Sequence, residues 1–431
     1  MAPEAASPLN PGVARREVFG WAMYDFANSG YTTVVLTAVF NAYFVSTVAG
    51  NAPWATFAWT LALAASYAIV MAAGPVVGAW ADARAAKKHA LAATTVACVA
   101  GTAMLAGAGP GDVAWACAFI VVSNVAFALG ENRVAAFLPE LARPADVGKV
   151  SGWGWSVGYL GGILTLALCL AWVLGAPARG ATAAQAVPGT MLITAAVFAL
   201  ASLATFALLR ERAVPVPPTE RRSHVFARLA RSARESLAYR DLLAVFACGT
   251  FYQAGVATVI ALAAIYAQQV MGFQTKDTIL LVLVVNVTAA VGAFGFGYAQ
   301  DRIGQVPALR VTLFAWLAMI VVAGMATTPA MFWAAANLAG LAMGSSQSAG
   351  RALVSYFSPP ERSAEFFGMW GVATRLASIL GPVTYGAVTW ATGGDHRLAI
   401  LATGLFFLVA IALLAAVDER RGHAAAYGNP P

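Results

Sequence analysis

"GAWADARAAKKH", residues 78–89, and "GYAQDRIGQVPALR", residues 297–310, each follow a long apolar run and each open G-x-x-x-D. Asp82 and Asp301 stand 219 residues apart. A second pair, "RPADVGKVSGWGW" (143–155) and "PPERSAEFFGMWG" (359–371), sets Pro144 opposite Pro360 and Gly152 opposite Gly368 at an offset of 216. Two separate matches at nearly equal offsets point to a duplicated unit whose copies run in the same direction along the chain.

Composition says what the unit is made of. Hydrophobic residues make up 60% of the chain and charged residues 10%, against a charged share of about 25% in ordinary soluble domains. No soluble core can hide so much apolar surface, whereas a bilayer asks for roughly 20 apolar residues per crossing helix. Apolar runs broken by polar or Gly/Pro punctuation predict twelve spans, near 20–48, 54–80, 89–108, 113–138, 151–174 and 188–209, then 242–269, 277–299, 308–326, 330–356, 363–391 and 397–417. The expected fold is an all-α membrane protein of two six-helix halves. Its segments are a cytoplasmic N-terminal stretch (1–19), a first half (20–209), a central loop (210–240), a second half (241–417) and a cytoplasmic tail (418–431).

Orientation follows from the basic residues, because short loops rich in Lys and Arg stay cytoplasmic. With both termini inside, 20 of the 26 Lys and Arg face the cytoplasm, three lie outside (Arg179, Lys276, Arg397) and three lie within spans (Arg133, Arg351, Arg375). The net charge of +7 is then a mark of topology and of anionic lipid at the inner surface, and no nucleic acid is implied. The expected location is the inner (plasma) membrane. The central loop carries eight basic and three acidic residues, and its prolines 215, 217 and 218 break any continuous helix. Beyond them Phe226, Leu229, Ala233 and Leu237 recur at helical spacing beside Arg228, Arg231 and Arg234, which predicts an amphipathic helix on the lipid surface. The first span is read as retained and not as a cleaved signal, since it is long and carries Asp25, Asn28 and Asn41.

Several chemistries are excluded. Cys98, Cys117, Cys169 and Cys248 fall in different spans without C-x-x-C spacing, and His89, His224, His396 and His423 lie in loops or at helix ends. Neither a disulfide framework nor a metal or haem centre fits that placement. There is no G-x-x-x-x-G-K-[ST] loop for a nucleotide and no recognisable catalytic cluster. No cofactor and no enzyme activity are expected.

Beyond its six-plus-six pattern and its G-x-x-x-D loops, the chain resembles the major facilitator superfamily. "GWAMYDFANSGYTTVV" (20–35), "LPELA" (138–142), "VSGWGWSVGYLGG" (150–162) and "EFFGMWGVATRLASILGP" (365–382) are similar to its vacuole effluxer, or unknown-major-facilitator, branch. The resemblance implies a secondary transporter working by alternating access, with amino-acid export among the branch's associations. It also implies conformational gating by Gly78, Asp82 and Arg84 and by Gly297, Asp301 and Arg302. The first loop departs from the superfamily pattern by having Ala83 where a basic residue is usual.

Charges inside the spans mark the expected pathway, because a charge facing lipid costs several kcal/mol. Asp25 lies about five residues into the first predicted span, roughly 7 Å from its cytoplasmic end, and Asn28, Ser29 and Thr32 share its face. Asn124 and Glu131 share a face of the fourth span, with Arg133 pointing elsewhere. In the tenth, Gly340, Gly344 and Gly350 with the run Ser345–Ser348, Gln347 included, lead to Arg351. They either let helices approach closely or open room for a solute. Arg375 lies deep in the eleventh and is the expected partner of Asp25 or Glu131. The two acids are candidate sites for a proton or a substrate amine, and Arg351 and Arg375 for a carboxylate or phosphate. The partners expected are a small polar or zwitterionic solute, a proton or other ion gradient and the lipid bilayer, with the protein a monomer. The alternative is a non-transporting scaffold or sensor on the same fold.

Overall fold

The computed structural model describes residues 7–52, 54–213, 239–273, 275–393 and 395–428. The amphipathic helix expected between Phe226 and Leu237 lies outside the described residues.

Twelve long helices appear among them. The first half holds α1 (Arg15–Tyr31), α2 (Ala55–Arg84), α3 (Lys87–Met104), α4 (Val113–Ala135), α5 (Val147–Leu174) and α6 (Ala183–Leu208). The second holds α7 (Arg240–Met271), α8 (Thr275–Ile303), α9 (Gln305–Met325), α10 (Pro329–Tyr356), α11 (Ser363–Ala391) and α12 (His396–Leu414), and a short α13 (Glu419–Tyr427) follows. Eleven are long and apolar enough to cross a membrane, among the described residues. The exception, α10, has the length at 28 residues, but the Gly, Ser, Gln and Arg of its second half lower its hydropathy. The span of α1 continues through π-helical turns at Thr32–Ala38 and Phe44–Val48. Buried apolar side chains gather in two clusters, drawn almost wholly from one half each.

Several helices run further than apolarity predicts. α1 begins at Arg15, α2 continues to Arg84 and α8 to Ile303, because a helix does not stop where the chain leaves hydrocarbon. Asp25 therefore sits ten residues into α1, roughly 15 Å from the helix start, the expected 7 Å having been counted from the start of the apolar run.

Both described ends and the basic loops gather on one face, here the basic face. Residues 9 and 10 bond to Leu141 and Ala142 of the α4–α5 connection, and α13 is tied to the start of α7 by Arg421 and Asp241 at 2.7 Å. The sequence repeat has a structural meaning on this face. The Asp82 carboxylate accepts backbone N–H bonds from Glu365 (2.9 Å) and Ala364 (3.4 Å) at the start of α11. Asp301 does the same with Gly148 and Lys149, both 2.9 Å, at the start of α5. Each motif of one half thus grips the other motif of the other half, as an anion at a helix N-terminus.

Glycine lets the helices meet there. A Cβ on Gly78 would strike the Ala364 carbonyl, one on Gly152 the Ala293 carbonyl, and one on Gly297 would lie 2.7 Å from the Gly148 carbonyl. A further repeat escaped the sequence reading. Glu211, after α6, caps the backbone N–H groups of Lys87 and Lys88 at 2.6 and 3.0 Å, and Glu419, after α12, caps Gln305 and Val306 at 2.9 and 3.0 Å.

Candidate functional site

Among the described residues two ion pairs join the halves, each with its carboxylate in the first half and its guanidinium in the second. Asp25 of α1 meets Arg351 of α10 at 2.5 Å. Glu131 of α4 meets Arg375 of α11 at 2.8 Å. Arg375 is thus the partner of Glu131, as expected, but not of Asp25. Asp25 meets Arg351, five residues before the basic-face end of α10, where both α1 and α10 pack against α5. The pairs lie within electrostatic reach of each other.

They differ in how fully they are enclosed. Arg351 donates to Asp25 and, through Nε and Nη2, to the Ser151 hydroxyl (3.2 Å) and carbonyl (2.7 Å). The Trp21 and Trp155 rings flank it at 4.7 and 5.2 Å. Both side chains of this pair are at most 10% exposed. Glu131 is deep within the bundle, yet its side chain is 37% exposed, so it borders an open space among the helices. Arg375 lies 5.5 Å over the Tyr67 ring, and its Nε has no hydrogen-bond partner among the described residues.

The other expected residues take varied places. Asn28 is 5% exposed, and neither atom of its amide has a partner among the described residues. The Thr32 hydroxyl donates to the Asn28 carbonyl within α1. Asn124 donates to Ser66 of α2 at 2.6 Å, a contact inside the first half. Gln347 exchanges amide hydrogen bonds with Gln253 of α7, at 2.8 and 3.2 Å. The small residues of α10 serve close packing: Gly340 lies against Thr288, Gly344 against the Ala289 carbonyl, and Gly350 against the Tyr252 hydroxyl. Arg84 stacks over Trp80 at 5.2 Å, and Arg302 is exposed. Among the described residues neither arginine joins the contacts that Asp82 and Asp301 make.

Sequence reasoning missed Lys87, Glu140 and Ser363. Lys87 counts in sequence as one more basic loop residue, yet it is fully buried, 2.9 Å from Glu140, 3.5 Å from Asp82 and 2.7 Å from the Ser363 hydroxyl of the second half. Only the adjacency of Lys87 to the G-x-x-x-D loop hinted at it. Ser151, Trp21 and Trp155 were within quoted motifs but had no partner until the fold supplied one. Gln253 and Tyr67 gave no sequence signal.

All the hydrogen bonds and ion pairs that join the halves among the described residues lie toward the basic face. The furthest from it is Ser156 to the Ala290 carbonyl, 13 residues (303 − 290) before the end of α8.

Twelve helices in two like halves, with buried charges between them, define a membrane protein of the major facilitator fold. Solved structures agree. The human organic anion transporter MFSD10 superposes with a TM-score of 0.72 at 15% identity, covering 93% of this chain and 99% of that one. The E. coli fucose:proton symporter FucP gives 0.70 at 15% identity, covering 94% and 98%. Residues 54–427 match the profile of the family described as "Vacuole effluxer Atg22 like", and the chain belongs to that family. It is 28% identical over 404 residues to the uncharacterized MFS-type transporter YxiO of Bacillus subtilis (strain 168), covering 93% of this chain and 94% of YxiO. The protein is an integral, multi-pass transporter of the MFS type.

Proposed function

We propose that the protein is a secondary active transporter, monomeric in the plasma membrane with its basic face in the cytoplasm, that moves a small polar or zwitterionic solute at the expense of a proton or other ion gradient. Export of an amino acid is the reading that fits it best. The observation that carries this is the pair of ion pairs between the halves. Alternating access needs the halves to part on the basic face, and parting a buried pair leaves each charge uncompensated, at a cost of several kcal/mol. A proton on the carboxylate removes one charge, and a zwitterion supplies both replacements, its ammonium to the acid and its carboxylate to the guanidinium. Asp82 and Asp301 then act as latches of the state closed toward the cytoplasm. The solvent reaching Glu131 enters from the opposite face.

Proteoliposomes with the purified protein test this. Under an imposed pH gradient, at least one solute in a panel of amino acids, peptides, sugars and organic anions should accumulate, and the same solute should raise the melting temperature. A protein that melts cooperatively but neither moves nor is stabilised by any zwitterion would overturn the reading.

A further inference from the structure

A groove on the outer wall of the first half, at the basic face, plays no part in the transport reading. It has a volume of about 430 Å³ and lies between α1, α5 and the segment before α1, within the range of roughly 300–1,000 Å³ that small ligands occupy. Arg15, Phe19 and Ala22 line it along one face of α1, with Trp153 and Val157, four residues apart, on α5. It thus runs parallel to the helix axis for about 10 Å between Arg15 and Ala22.

Its chemistry is divided by height. Arg15 stands at the end nearest the basic loops, exposed and without a hydrogen bond or ion pair to any described residue. Everything deeper is apolar, and Phe19, 55% exposed, leaves that part of the wall open. A cation above an apolar trough complements an anionic amphiphile held upright in the leaflet. A free anion would find one guanidinium and no second donor. We propose that the groove is a binding site for one anionic phospholipid of the leaflet at the basic face, its phosphate on Arg15 and one acyl chain along Phe19, Ala22 and Val157.

The site touches the joint between the halves. Trp153 forms part of its wall and donates its indole N–H to the Tyr298 hydroxyl of α8, at 3.1 Å. A lipid seated there steadies a contact that the closed basic face uses.

Native mass spectrometry of the full-length protein in detergent, titrated with phosphatidylglycerol or phosphatidylcholine of equal chain length, tests the site. The first phosphatidylglycerol should bind more tightly than the first phosphatidylcholine. Arg15→Gln should weaken phosphatidylglycerol about fivefold, the worth of one basic residue at an anionic surface. Arg15→Lys should keep most of the affinity, and Arg16→Gln should change it less than twofold. Val157→Phe, which fills the trough, should weaken both lipids, with Phe19→Ala as the substitute if that variant does not melt cooperatively. Equal losses from Arg15→Gln and Arg16→Gln, or full binding in the filled or truncated trough, would overturn the proposal. So would displacement of the lipid by excess inorganic phosphate, which would show that the site reads phosphate alone.

Discussion

At the scale of the residue, the two ion pairs have unequal tasks. Arg351 has every nitrogen bonded and two indoles beside it, so its pair with Asp25 is the more costly to disturb. Removing one partner of a buried pair costs roughly 3–5 kcal/mol, while removing both is often neutral. Arg351→Gln should therefore lower the melting temperature sharply, and adding Asp25→Asn should restore most of the loss. A double variant that melts lower than either single one would show that the two residues stabilise the fold independently. Glu131, partly exposed and paired to a guanidinium whose Nε has no partner among the described residues, is the better placed of the two acids to exchange a proton. Glu131→Gln should keep solute counterflow and lose accumulation driven by a pH gradient. Gradient-driven accumulation at the wild-type rate in that variant would assign coupling elsewhere, with Asp25→Asn the next to test.

At the scale of the element, function rests on helix ends and helix crossings. Asp82 and Asp301 each bind the start of a helix in the opposite half, and Gly78 and Gly152 let those helices touch. A methyl group at Gly152 has to displace the Ala293 carbonyl, and such overpacking costs about 1–3 kcal/mol. Because the contact exists in the closed basic face, Gly152→Ala should shift the population away from it, by roughly tenfold. Ser348, whose carbonyl accepts from the Ser151 hydroxyl across the joint at 2.9 Å, reports on this. As Ser348→Cys it should react faster with a maleimide in the Gly152→Ala background, and unchanged labelling would show that the joint does not open there. Asp82→Asn and Asp301→Asn should slow transport more than they weaken solute binding, measured as turnover against the melting shift.

At the scale of the molecule, what the sequence made legible was periodic or repeated. Span number came from apolar runs and the paired halves from two motifs at offsets of 219 and 216. Those same motifs turned out to be the two sides of one contact. Pairings between distant positions were not legible, because Asp25 and Arg351 lie 326 residues apart and only the packing of α1 and of α10 against α5 decides that they meet. Lys87 was misread for a related reason: a count of basic residues treats every loop lysine as solvated, and nothing local marks one that is buried.

Orientation is the remaining property of the whole molecule, and it fixes the direction of everything else. On the topology expected from the sequence, the loops and ends of one side hold 20 of the 26 Lys and Arg. Short basic loops resist translocation, and the membrane potential, negative inside, favours them by about 2.3 kcal/mol per charge per 100 mV. In the proposed orientation, with the basic face in the cytoplasm, Glu131 would face the outside of the cell in the closed state, and a coupling ion would meet it from that side. A single cysteine at Arg221 (Arg221→Cys) in an otherwise cysteine-free protein should resist an impermeant maleimide in intact cells and react after permeabilisation. Labelling in intact cells would invert the topology, placing the latches of Asp82 and Asp301 on the outer side and reversing the order in which ion and solute gain access.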